Sequence, residues 1–282
     1  MERILMATDL SARSDRSLER AVSLACDHGA ELTVLHVVDE GLPASLADAQ
    51  ARAARASIQE HLDGLAADES PRISTEVLFG RDYADILEVS EKTNAEVVVL
   101  GVHRADSLRD MFRGTTAERV IRAGTAPVLL VKDRVRDSYR RIMVAVDFSV
   151  CSRRALEFAI KFAPSARFHL VHAYDVPFKG FLHGRDSQRE VSKQHQAQLE
   201  ELVEAEMAAF LSSVEGMAPK LERVMEQGVI RDVIHRQVDR LKPDLLVLGT
   251  HGRSGVARAF LGSVAEDLLR EPPCDVLAVR GS

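Results

Sequence analysis

Short apolar runs alternate along this chain with longer stretches of helical periodicity. Residues 3–9 (RILMATD) form the first run, and residues 14–28 then place Leu18, Ala21, Val22 and Ala25 at helical spacing. A second run spans 31–38 (ELTVLHVV), Ala-rich residues 44–67 predict a helix, and 73–79 (ISTEVLF) predict a strand. Gly80 precedes a helical face with Ile86, Leu87 and Ser90, followed by a strand at 96–101 (EVVVLG). A helix from about Thr115 to Ala123 and a strand at 127–131 (PVLLV) complete the series. Apolar strands separated by helices predict a parallel sheet covered on both faces.

The same order then begins again. RRIMVAVDFS at 140–149 matches RILMATDLS at 3–11, with Asp147 at the place of Asp9. ARFHLVHAYD (166–175) parallels AELTVLHVVD (30–39), so His172 falls on His36, and Gly228 repeats Gly80. DLLVLG (244–249) repeats AEVVVLG (95–101), and FLGSVAEDLLREPPCDVLAV (260–279) repeats FRGTTAERVIRAGTAPVLLV (112–131). A repeat of half the chain predicts two tandem α/β domains, residues 1–133 and 139–282, joined by the polar segment KDRVRDSYR. Right-handed crossovers then predict a doubly wound five-stranded parallel sheet of order 3-2-1-4-5 in each. The final strands would be sheet edges, and exposed apolar edges invite pairing. The two copies can pair within one chain as a pseudo-dimer, with further homodimerisation open.

Candidate chemistry concentrates at Asp244–Glu266, which reads as a buried strand, a glycine-rich loop and a new helix opening at Ser263. Gly249, Gly252, Gly262 and Ser263 give a G-x2-G-x9-G-S spacing. Glycine allows positive φ and close approach of a ligand, and a helix start offers unpaired N–H groups to an anion. In a doubly wound sheet, Asp147 at the end of strand 1 and Gly249 at the end of strand 4 fall on one crevice, the switch point. Each feature also has a reading without a ligand. Ser263-Val264-Ala265-Glu266 is a capping box, Asp147 can cap the turn into the next helix, and Gly249 and Gly252 can shape a surface turn. His251, Arg253 and Arg258 lie where phosphate would sit or are solvated loop charges.

Composition narrows the classes. Apolar content of 46% with 28% charged residues is that of a globular protein. A net charge of −6 with dispersed basic residues argues against a nucleic-acid surface, and no apolar run approaches a membrane span. The start, MERILMATDL, carries no signal-peptide pattern. Cys26, Cys151 and Cys274 form no C-x-x-C pair and are expected to be buried thiols in a reducing cytoplasm. His36 and His172 are expected to be satisfied core residues, and His183, His195 and His235 have no metal-ligand spacing. The main departure of the second copy is 175–214: a long connection, a candidate lid, precedes a helix carrying Leu199, Leu202, Val203, Met207, Phe210 and Leu211 as a core-facing stripe.

Together the A-x-D-x-S segments at the first strands, the histidines of the second strands and the glycine loop resemble the universal stress protein family in its tandem form. The resemblance implies an adenine nucleotide alpha hydrolase-like fold and ATP as ligand, usually with a divalent cation such as Mg²⁺ bridging the phosphates. It implies Ala145, Val146, Asp147 and Ala173 at the nucleoside end. Leu248, Gly249, His251, Gly252, Gly262, Ser263, Val264 and Ala265 would line the phosphate end. The first half departs from the family motif: Gly101-Val102-His103-Arg104 puts arginine at the second glycine, before Gly114-Thr115. That residue either blocks the pocket or offers its guanidinium to phosphate, while Thr115 to Glu118 retain a capping box.

Catalytic motifs are missing: there is no G-x-x-x-x-G-K-S/T, G-x-S-x-G or H-E-x-x-H. The expectation is a cytoplasmic stress-response protein that binds ATP in its second domain and alters contacts with an unidentified protein partner. A nucleotide-independent interaction module and a slow Mg²⁺-dependent ATP hydrolase are the alternatives.

Overall fold

The computed structural model describes residues 1–65, 71–102, 115–174, 186–214, 221–252 and 261–281, the side chains of 186–196 excepted. The first half runs β1 (Arg3–Ala7), α1 (Ala12–His28), β2 (Glu31–Asp39), α2 (Ala44–Leu65), β3 (Ile73–Gly80), α3 (Asp82–Lys92), β4 (Val97–Gly101), α4 (Thr116–Ala123) and β5 (Val128–Val131). The second half repeats it as β6 (Arg141–Ala145), α5 (Val150–Phe162), β7 (Arg167–Tyr174), α6 (Asp186–Ser212), β8 (Leu221–Gln227), α7 (Ile230–Leu241), β9 (Leu245–Gly249), α8 (Ser263–Arg270) and β10 (Asp275–Val279).

All ten strands form one sheet of order β3-β2-β1-β4-β5-β10-β9-β6-β7-β8. Each half keeps the expected 3-2-1-4-5 order with parallel pairs, and β5 meets β10 antiparallel with Leu129 opposite Leu277. The apolar edges foreseen in sequence thus cover each other. Because side chains alternate across a strand, the sheet feeds two cores that run unbroken through the seam. Ile4, Met6, Leu129, Ile142 and Leu277 pack on the face of α1 and α5, whereas Leu5, Leu130, Met143 and Val276 pack on the face of α3, α4, α7 and α8.

Two expectations need correction. Leu202 is 58% exposed, because it lies off the stripe of Val203, Met207 and Phe210 that α6 buries. Only Cys274 is a buried thiol; Cys26 is exposed near the end of α1 and Cys151 is half-buried. The segment that joins the halves is anchored at both ends. Asp275 of β10, fully buried, accepts the N–H groups of Lys132 and Asp133 at 2.8 and 2.9 Å and the Tyr139 hydroxyl at 2.6 Å. Arg20 of α1 places Nε 3.7 Å from the same carboxylate, and its guanidinium lies 4.2 Å over the Tyr139 ring. Burial raises the Asp275 carboxyl above its ordinary value despite these donors. Of the connection read at 175–190 as a candidate lid, residues 186–190 already belong to α6, and 175–185 lie outside the described residues.

Two outcomes follow from these buried groups. Asp275→Ala should lower the unfolding free energy by about 3–5 kcal/mol, since it strands the Arg20 charge in the interior. Urea titration reads this out, and a loss below about 1 kcal/mol contradicts the latch. His169 on β7 is held below the ordinary histidine value of 6.5 by burial, against the pull of Glu222 3.4 Å away and with the push of Arg167, Arg240 and Arg141. A lowered folded value contributes stability that is present above pH 6.5 and lost as pH falls through it. His169→Asn should therefore lose less stability than wild type on acidification, and parallel pH profiles would contradict the assignment.

Candidate functional site

Strand β6 pairs with β7 on one side and β9 on the other, with Ala145 opposite both Val171 and Leu248. Helix α5 leaves β6 toward one face and α8 follows β9 toward the other, so a crevice opens between them at the carboxyl ends of the strands. It encloses about 350 Å³, within the usual range for small-molecule sites. Ala145, Val146, Asp147, Ala173, Leu248, Gly249, His251, Gly252, Gly262, Ser263, Val264 and Ala265 all line this one cavity. Residues not foreseen as lining are Ser152, Val171, His172, Ile230, Ile234, Thr250 and Leu268. Ile230 and Ile234 share one face of α7 directly after Gly228, a spacing that could have flagged them.

Asp147 serves two surfaces. Its Oδ1 accepts the Ser149 N–H at 3.0 Å and so shapes the turn into α5, as the reading without a ligand expected. Its Oδ2 faces Gly252 across the crevice. Between Asp147 and the Ser149 N-cap stands Phe148 at φ 62°, and Leu10 repeats this at φ 61° after Asp9. A left-handed backbone at a bulky residue is strained, and its repetition at both strand ends fixes where each aspartate points. Phe148 also lies against His172, ring centroids 4.1 Å apart.

The glycine loop is closed at its base by the Gly262 N–H donating to the Thr250 carbonyl at 3.0 Å. Positive φ is not the reason for its glycines, contrary to expectation, because Gly249, Gly252 and Gly262 all lie outside the left-handed region. Space is the reason at two of them. A Cβ at Gly252 would come 3.0 Å from Asp147 Oδ2, and one at Gly249 would come 3.1 Å from the Cys151 backbone at the start of α5. A side chain at Gly252 would thus meet crowding against an aspartate, with no left-handed backbone to disfavour it.

The capping-box reading of Ser263 is also corrected. Gly262 is the N-cap of α8, with no side-chain cap, so Ser263 is already the first helical residue. In the first half the helix starts one position later, and Thr115 Oγ1 accepts the Glu118 N–H at 3.2 Å. Ser263, Val264 and Ala265 at the opening of α8 line the cavity, and among the described residues no side chain caps that helix start. His251 Nδ1 contacts Thr250 Oγ1 at 2.8 Å, while its Nε2 is shielded from water and has no hydrogen-bond partner among the described residues. His36 and His172 are tied at Nδ1 to the Thr8 and Val146 carbonyls, both at 2.8 Å, as expected for structural histidines, yet both also line cavities.

The first half keeps a cavity of about 340 Å³ at the equivalent place. Its chemistry is different. Asp9, Asp39 and Asp82 line it, and Thr116 donates a hydrogen bond to Asp82 where the second half has Val264 and Ile230. Three carboxylates in place of one oppose a polyanion. Arg104, Arg253, Arg258 and His183 lie outside the described residues, as does the side chain of His195; His235 is half-buried on α7.

The model of the universal stress protein family matches the chain twice, over residues 1–132 and 138–280. A universal stress protein of Mycolicibacterium smegmatis is 24% identical over 309 aligned residues, covering 98% of this chain and 96% of that one. One of Methanocaldococcus jannaschii is 33% identical over 149 residues, covering 50% of this chain and 82% of its own. The crystal structure of a universal stress protein from Archaeoglobus fulgidus shares the fold at a TM-score of 0.67 and 20% identity, covering 99% of this chain and 96% of that one. Matched along both halves, the chain belongs to the universal stress protein family.

Proposed function

We propose that the second half binds an adenine nucleotide, ATP, in the crevice between α5 and α8. The observation that carries this is the convergence of Asp147, Gly252 and the open start of α8 on one cavity of about 350 Å³. Its inner wall of Val171, Ile234 and Leu268, with the half-exposed Ile230 at the mouth, offers an apolar slot for the base. Asp147 accepts a hydrogen bond from a ribose hydroxyl or the adenine amine. The N–H groups at Ser263, Val264 and Ala265, with the helix dipole behind them, receive phosphate, and Mg²⁺ would bridge phosphate oxygens. The unpartnered His251 Nε2 stands at that end.

In this reading the functional units are residues 1–133 and 139–282, and only the second takes nucleotide. The occupied state alters contacts with a protein partner in a cytoplasmic stress response. No helix among the described residues is long and apolar enough to cross a membrane. The activity is binding, since the sequence supplies no phosphate-loop lysine. Steady-state turnover with and without Mg²⁺ separates this from a slow hydrolase.

Gly252→Arg, which copies the first half, should abolish ATP binding in isothermal titration, because the new side chain enters against Asp147 Oδ2. Affinity equal to wild type would refute the site. Asp147→Ala should weaken ATP by roughly tenfold, the loss of one hydrogen bond of about 1.4 kcal/mol.

A further inference from the structure

At the opposite end of the second-half strands lies a larger groove that the nucleotide site does not use. It encloses about 1230 Å³ between α1 of the first half, the segment 133–141, and the approaches to β7 and β9. Seven arginines line it (Arg16, Arg20, Arg134, Arg136, Arg140, Arg141 and Arg167) against four aspartates, Asp133, Asp137, Asp244 and Asp275.

Two of those carboxylates are engaged by backbone donors, while Asp133 is exposed. Asp275 is taken by the Lys132 and Asp133 N–H groups and Tyr139, and Asp244 accepts the N–H groups of Arg140 and Arg141 at 2.9 and 3.0 Å. Asp137 pairs with Arg140 at 3.5 Å. The exposed side chains of Arg134, Arg136 and Arg141, by contrast, make no ion pair among the described residues. Arg20, 96% buried in the wall, leaves Nε without a hydrogen-bond partner. A chain of net charge −6 thus concentrates guanidinium groups in a single groove.

The geometry points to a binding site for a small multiply phosphorylated anion, held by Arg134, Arg136 and Arg141 across the junction of the two halves. Arginine forks match phosphate oxygens in pairs, and several converging on one groove match several phosphates. A nucleic-acid strand fits less well: no aromatic ring lines the groove to stack a base, and the negative chain repels a long polyanion. This site is independent of the nucleotide reading, since the groove lies at the amino ends of β6, β7 and β9 and the crevice at their carboxyl ends.

The test is isothermal titration of the full chain with inorganic tripolyphosphate, in wild type, Gly252→Arg, the double variant Arg134→Ser/Arg136→Ser, and Arg141→Gln. Wild type and Gly252→Arg should bind one equivalent with an affinity that falls as salt rises. The double variant should bind about tenfold more weakly, with Arg141→Gln weakened in the same direction. These arginines are exposed, so thermal unfolding should be unchanged. ATP titrated into Gly252→Arg distinguishes sources: residual binding that adding Arg134→Ser/Arg136→Ser removes belongs to the groove and means it accepts phosphates on a nucleoside, residual binding that survives belongs to the crevice, and no ATP binding beside tripolyphosphate binding restricts the groove to inorganic anions. The first and the last are forms of the proposal. No binding at millimolar tripolyphosphate, equal binding in all four proteins, or loss through Gly252→Arg alone overturns it.

Discussion

The fold depends on a single reversal of strand order around β6. Because β6 pairs with β7 and with β9, the helices that follow β6 and β9 must leave on opposite faces of the sheet. Their first turns cannot pack against each other, and the gap they leave is bounded by strand ends whose backbone is already held in the ladder. Everything at the candidate site is arranged by that gap: Asp147 at one lip, the glycine loop at the other, and the start of α8 as its floor. The left-handed Phe148 and the Thr250–Gly262 hydrogen bond hold the two lips in place.

The same reversal occurs around β1, so the first half inherits a gap of nearly equal volume. What separates the halves is the chemistry lining that gap. Asp82 and Thr116 bond to each other where Ile230 and Val264 leave an apolar wall, and Thr115 caps the helix start that Gly262 leaves open. An unsatisfied helix start beside an apolar slot suits a base with phosphates; a capped start beside three carboxylates does not. One duplicated scaffold therefore carries two different surfaces, joined through the β5–β10 seam and the Asp275 latch.

Much of this was legible in the residues, for physical reasons. Strands buried on both faces read as continuous apolar runs, and right-handed crossovers between them led to the 3-2-1-4-5 order, which the internal repeat doubled. The twelve residues implied by the resemblance come from three separate segments, and the topology brings them to one cavity. Contacts between distant segments left no such trace. Arg20, Tyr139 and Asp275 meet only in the folded chain, and no periodicity joins them. Positive φ at Gly252 was misread, because its need for space arises from Asp147, more than a hundred positions away in the sequence. The helix does open at Ser263 as read, but Gly262 holds the N-cap position, so Ser263 is not its capping residue. Cys26 and Leu202 show that an apolar residue on a helix is placed by its exact angular position.

The central claim is that one of two similar gaps takes a nucleotide. A crystal structure of the full chain with ATP and Mg²⁺ tests it directly. The account predicts nucleotide density in the second-half crevice, with phosphates at the start of α8 and the base against Ile230 and Ile234, and none in the first-half cavity. Density in the first half alone, or in neither, would contradict it.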